Sequence, residues 1–237
     1  DWATLAWTLA LGASYAIVMV AGPIVGAWAD AHAAKKRALL LSTVGCVAGT
    51  AALALVGPGD VALAVALLIV SNVAYSMGEN LTASFLPELA RPAAVGKVSG
   101  WGWSLGYVGG LLALGLGLAW VMGADARGST AAQAVPGTML ITAAVFAAAS
   151  AFTFALLRER AVPVPASEVA SHALARLART AKEALAYRDL LAVFACGTCY
   201  QAGVATVITL SAIYAEQVMG FGMKETILLI LAVNVTA

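Results

Sequence analysis

The sequence predicts an all-α polytopic membrane protein, and three observations carry that prediction. Of 237 residues, 62% are hydrophobic and only 11% are charged, whereas an ordinary soluble domain carries about 25% charged residues. The apolar residues fall in runs long enough to cross about 30 Å of hydrocarbon as helices. The basic residues gather in alternate connections between those runs. With 13 Lys and Arg and 12 Asp and Glu, the chain cannot cover the polar surface that a soluble protein of this length needs.

Six complete runs and a truncated seventh are expected to be membrane-spanning helices: 7–29, 38–57, 61–86, 99–122, 137–157, 190–214 and 226–237. The complete runs carry no charge, except that 61–86 contains Glu79. Gly22-Pro23 and Pro87 are expected to kink or end helices. Gly102, Gly106 and Gly110 recur every four residues, a spacing that lets helix backbones approach closely in lipid. Trp101 and Trp103 suit an interfacial aromatic belt.

The connections 30–37, 87–98 and 158–189 hold Lys35, Lys36, Arg37, Arg91, Lys97, Arg158, Arg160, Arg176, Arg179, Lys182 and Arg188. The alternate connections 58–60, 123–136 and 215–225 hold only Arg127 and Lys224. Positive loops stay in the cytoplasm, so the first three connections are expected there, with residues 1–6 outside. The longest connection opens with "RERAVPVPAS", an extended linker. It continues as a basic amphipathic helix, with Leu174, Leu177, Ala181 and Leu185 at helical spacing. His172 within it reads as a solvated polar residue.

Several function classes lose support. Net charge is +1 and no basic patch is interleaved with aromatics, so no nucleic-acid partner is expected. There is no phosphate-binding Walker loop, which argues against direct ATP drive within this chain. The three cysteines are Cys46, Cys196 and Cys199. The C-x-x-C at 196–199 lies inside an apolar run with no histidine nearby. It reads as two small residues at a packing face, with intramembrane thiol redox chemistry as the alternative. No metal or cofactor is expected.

Glu79 is the residue that most demands an explanation. Asn72, Tyr75, Ser76 and Glu79 fall at i, i+3, i+4 and i+7, on one face of the 61–86 helix. A carboxylate facing lipid costs at least about 2.5 kcal/mol, so this stripe points to a shared interior or a water-filled cavity. Such a site near the midplane is where secondary transporters bind substrate. Burial would suit Glu79 to carrying a proton or pairing a substrate amine. The alternative is structural, with Glu79 paired to a basic residue or reaching the headgroups. Asn80 adjoins the stripe, and Tyr107, Tyr200 and Gln201 are matching polar residues on the 99–122 and 190–214 helices.

Two motifs add a resemblance. "GPIVGAWADAHAAKKRALL" at 22–40 places Gly26 and Asp30 before Lys35, Lys36 and Arg37 in a tight loop. It resembles the signature between helices 2 and 3 of the major facilitator superfamily, with Ala31 and Ala33 where an arginine and a glycine usually stand. In that family the aspartate pairs with basic residues and latches the outward-open state. The resemblance therefore implies a cytoplasmic gate of Gly26 and Asp30 with Lys36 or Arg37; a purely topological role for these charges is the alternative. "SFLPELA" at 84–90 and "GKVSGWGWSLGYVGGLLAL" at 96–114 are similar to the vacuolar amino-acid effluxer family and its bacterial relatives. The relatives' Tyr-Asn before Leu-Pro-Glu is Thr82-Ala83 here.

That resemblance implies a partial major facilitator fold, a fragment covering about helices 2 to 8 of twelve. Residues 1–157 would be an N-terminal half lacking its first helix, 158–189 the linker, and 190–237 the start of the second half. It implies a proton-coupled secondary transporter in a bacterial inner membrane, exporting a small solute such as an amino acid by alternating access. A polytopic thiol enzyme and a non-transporting receptor or scaffold are the rival classes.

Overall fold

The computed structural model of the chain describes residues 2–57, 59–160, 179, 182–183 and 185–236. Among them every regular element is helical. Helix α1 spans Trp2–Ala31; α2 spans Lys35–Ala52 and runs on into a 3-10 turn at Leu53–Leu55. Helix α3 spans Val61–Ser84, and α4 is a single turn at Leu86–Leu89. After a 3-10 turn at Pro92–Ala94 come α5 at Val95–Ala126 and α6 at Ala131–Leu156, then α7 at Arg188–Gln217 and α8 at Met223–Thr236. Six helical stretches are long and apolar enough to cross a membrane; α8 has 14 residues. The amphipathic helix expected in the linker, with His172, lies largely outside the described residues.

Each predicted run is a helix, and most helices extend past their runs into polar sequence. Helix α6 begins six residues before the run at 137, because Thr130 and Gln133 cap it there: the Thr130 backbone N–H donates to Gln133 Oε1 at 2.9 Å. The two prolines behave differently. Pro87 sits in the first turn of α4, where its missing N–H has no helical partner to lose. Helix α1 continues through Pro23 without a break, so the expected end there does not occur.

Three helices end at a left-handed residue. Beyond α1, α5 and α7 the backbone turns left-handed at Ala33 (φ 48°), Gly128 (φ 75°) and Gly220 (φ 69°). After Ala33 and Gly128 the next residue's N–H reaches back to a carbonyl five positions earlier: Ala34 to Ala29 (2.9 Å) and Ser129 to Ala124 (3.0 Å). This is the Schellman closure, which favours glycine at the left-handed position. Ala33 fills it against that preference. After Gly220 the loop is one residue wider, and the Phe221 N–H reaches Ala215, six positions back, at 3.0 Å.

Helices α2 and α3 pack side by side, α1 lies on α3, and α6 lies on both α2 and α5, which in turn meets α8. Small residues make the α2–α3 contact close. A Cβ on Gly49 would lie 3.1 Å from Ser71 Cβ, and one on Gly45 would lie 3.4 Å from Ala74 Cβ. The close approach expected at Gly102, Gly106 and Gly110 is not found: a Cβ on any of them would meet nothing within 4 Å. Small residues permit close packing but need an opposing helix, and no described helix covers that face; residues 100–110 are exposed throughout. Helix α5 packs instead through its other half, where Val121 and Ala124 are buried.

Candidate functional site

The polar face of α3 forms as its spacing requires. Tyr75, Glu79 and Asn80 are exposed, while Ser76 and Asn72 are half-buried. Glu79 makes no ion pair or hydrogen bond among the described residues; Tyr75, one turn back, lies within its electrostatic reach. Tyr75 in turn has Cys46 of α2 and Tyr15 of α1 within electrostatic reach. Its ring tilts against Phe146 of α6 with centroids 6.4 Å apart. One turn deeper, the Asn72 amide nitrogen is buried and has no hydrogen-bond partner among the described residues. Asn80 turns toward α1, where its Nδ2 would stand 3.6 Å from a Cβ placed on Gly22. The glycine leaves room for an amide against the helix backbone.

So α1, α2 and α6 each bring a group to the edge of a short polar face on α3, whose Tyr75, Glu79 and Asn80 stay exposed. It can offer a carboxylate, a phenol and two amides to a small solute or a proton. The remaining candidates stand apart. Tyr107, Tyr200 and Gln201 are exposed, and no hydrogen bond or ring contact joins them to α3 among the described residues. Tyr15 is a residue that sequence reasoning missed, although a tyrosine beside Ser14 inside the run 7–29 was a signal of the same kind as Asn72.

A second polar site gathers at the lysine- and arginine-rich ends of the helices. The motif's Asp30 pairs here with Lys35, at 3.0 Å, and not with Lys36 or Arg37. The same ammonium meets Glu88 of α4 at 2.8 Å. Lys36 instead reaches α6, where its Nζ donates to the carbonyls of Phe154 (2.9 Å) and Leu157. Arg37 is exposed and unpaired among the described residues, and Gly26 has open space around it. The register follows from the tight turn. Lys35 is the first residue of α2 and faces Asp30 across the Schellman closure, while Lys36 lies about 100° further round.

Two acids absent from the predicted set complete the network. Glu159 accepts the backbone N–H groups of Lys35 (2.6 Å) and Lys36 (3.3 Å), and so caps the N-terminus of α2. Glu88 also accepts from the Arg160 backbone N–H at 3.4 Å. The quoted Leu-Pro-Glu motif contained Glu88, but nothing in its local sequence disclosed a partner 53 residues away. Beneath the charges lies a buried apolar plug of Ala29, Ala38, Leu39, Leu81 and Phe85, with Phe154 and Leu157 against it. Cys196 and Cys199 are free and exposed, and Cys46 is buried.

These features can be set beside known proteins. The family described as "Vacuole effluxer Atg22 like" matches residues 6–237. Among curated proteins, the chain is similar to an uncharacterized MFS-type transporter, YxiO, of Bacillus subtilis (strain 168). The two are 26% identical over 240 residues, covering 99% of this chain. The chain spans 55% of that relative's length. No solved structure matches it significantly. The helical bundle, its apolar spans and the near-complete family match agree: this chain belongs to the Atg22-like vacuole effluxer family, with a partial major facilitator fold.

Proposed function

We propose that the chain forms part of a secondary transporter that exports a small solute, such as an amino acid, by alternating access coupled to protons. The observation that carries this reading is Glu79: a carboxylate in an apolar span, on a polar face, with no ion-pair partner among the described residues. Such a group in a membrane helix marks a substrate or proton path by default. Family membership supports export, and the curated relative's description supports transport. Asn72, Tyr75, Ser76 and Asn80 would shape the site around Glu79, with Tyr107, Tyr200 and Gln201 contributing from α5 and α7.

In this reading the lysine- and arginine-rich ends lie in the cytoplasm, following the charge bias of the connections. The basic network of Asp30, Lys35, Lys36, Glu88 and Glu159 holds α1, α2, α4 and α6 as one body, so the N-terminal half can rock as a unit. No catalytic role is assigned to the cysteines. The test is flux of labelled amino acids across liposomes containing the full-length protein. Saturable, competed flux supports the reading. Its absence over a broad solute panel, with the protein folded and correctly inserted, refutes it.

A further inference from the structure

We infer that Asp125 and Lys224 form an extracellular latch that holds the two halves together at that end and must part in each transport cycle. The inference rests on the transport reading above. The ion pair, the hydrogen bond and the buried cluster that join α1–α6 to α7 and α8 all lie at the extracellular end. Lys224 Nζ pairs with Asp125 Oδ2. Met223 and Ile227 of α8 pack on buried Val121, Ala124 and Ala134 of α5 and α6. Gln217 Nε2 at the end of α7 donates to Thr4 Oγ1 of α1 at 2.9 Å.

The contact has the properties of one that opens. The side chains of Lys224 and Asp125 are 39% and 62% exposed, so water can replace each partner. Arg127 is held over the Trp120 ring at 5.6 Å, which leaves Asp125 to Lys224. Thr226 Oγ1, two positions beyond Lys224 on α8, is buried with no hydrogen-bond partner among the described residues, an orphan that weighs against the closed form. A cavity of about 220 Å³ lined by Asp125, Thr130, Lys224 and Glu225 leaves the interface incompletely packed. Gly220, left-handed between α7 and α8, supplies a pivot. The cytoplasmic network differs: Asp30, Lys35, Lys36, Glu88, Glu159 and Arg160 all belong to residues 1–160, so it clamps one half rather than joining two.

The test uses the full-length protein in right-side-out vesicles, with Cys46, Cys196 and Cys199 replaced by alanine. Ala124, only 3% exposed beneath the pair, is changed to cysteine as a reporter, and a charged, membrane-impermeant maleimide is added outside. With the pair intact the reporter should label slowly. In Asp125→Asn and in Lys224→Gln it should label about two- to fivefold faster, the range that loss of an exposed ion pair produces. The swapped pair Asp125→Lys/Lys224→Asp should return it to the slow rate. Equal rates in all four proteins, or a swap that labels as fast as the single variants, overturn the latch. Labelling requires no substrate, so the predicted rates without any solute flux uphold the latch and refute the transport reading alone.

Discussion

Lys36 and Glu159 cap the facing ends of two helices. Lys36 Nζ donates to the carbonyls of Phe154 and Leu157 at the end of α6, while the Glu159 carboxylate accepts the first two N–H groups of α2. A positive charge meets the negative end of one helix and a negative charge meets the positive end of the other. The arrangement satisfies four backbone groups that a helix leaves unpaired. Loss of the ammonium in Lys36→Met should destabilise the detergent-solubilised protein by about 1–2 kcal/mol. Glu159→Gln should cost about 0.3–1 kcal/mol. Thermal unfolding of both single variants and the double variant checks this; the two effects should fall short of additive, because each substitution loosens the same junction.

The two carboxylates on Lys35 should not be equivalent. Glu88 is 18% exposed and Asp30 is 63% exposed, against 13% for the lysine. Water can take over the role of Asp30 but has little access to Glu88. Asp30→Asn should therefore change stability by less than about 1 kcal/mol, and Glu88→Gln by more, toward the roughly 3 kcal/mol seen when a buried pair loses one member. Melting temperatures in the same detergent would reveal the order; a larger effect at Asp30 would mean that the burial has been misjudged.

Ala33 occupies a left-handed position at which the major facilitator signature usually carries glycine. The strained backbone costs an alanine about 1 kcal/mol that a glycine does not incur, less the extra entropy that glycine loses on folding. Ala33→Gly should leave stability unchanged or raise it by about 0.5 kcal/mol. Destabilisation on thermal unfolding would contradict the turn geometry.

Gly137 marks a different constraint. A Cβ there would fall 2.2 Å from the Trp120 ring, whose Nε1 donates to the Ala134 carbonyl at 3.0 Å. Gly137→Ala should displace the indole, break that bond and cost about 1–3 kcal/mol. Gly106→Ala, on an open face of the described chain, serves as the comparison. Stability assays paired with the shift in tryptophan emission will separate the two.

Much of the fold could be read from the sequence because lipid imposes one rule: backbone polar groups must be satisfied within the span, so long apolar runs become helices. The alternation of charge predicted which ends meet, and the structure sorts them so, with Lys35 beside Glu88 at one end and Lys224 beside Asp125 at the other. Tertiary choice was less legible. The glycine spacing in α5 looked as suited to close packing as Gly45 and Gly49 in α2, yet among the described residues only the latter have a helix against them. Motif and resemblance placed Asp30 at its turn, but choosing Lys35 over Lys36 depended on where α2 begins. At the candidate site, the period of α3 revealed a shared face; it could not reveal that Asn80 turns to Gly22, or that Tyr15 and Phe146 come near Tyr75.

The most direct measurement of the central claim is internal pH in liposomes of the full-length protein during addition of an amino-acid panel, with wild type beside Glu79→Gln. The account predicts a substrate-dependent pH change in wild type that disappears in the variant while the protein remains folded. Solute flux of equal size in both proteins, without any pH change, would contradict it and leave Glu79 a structural residue.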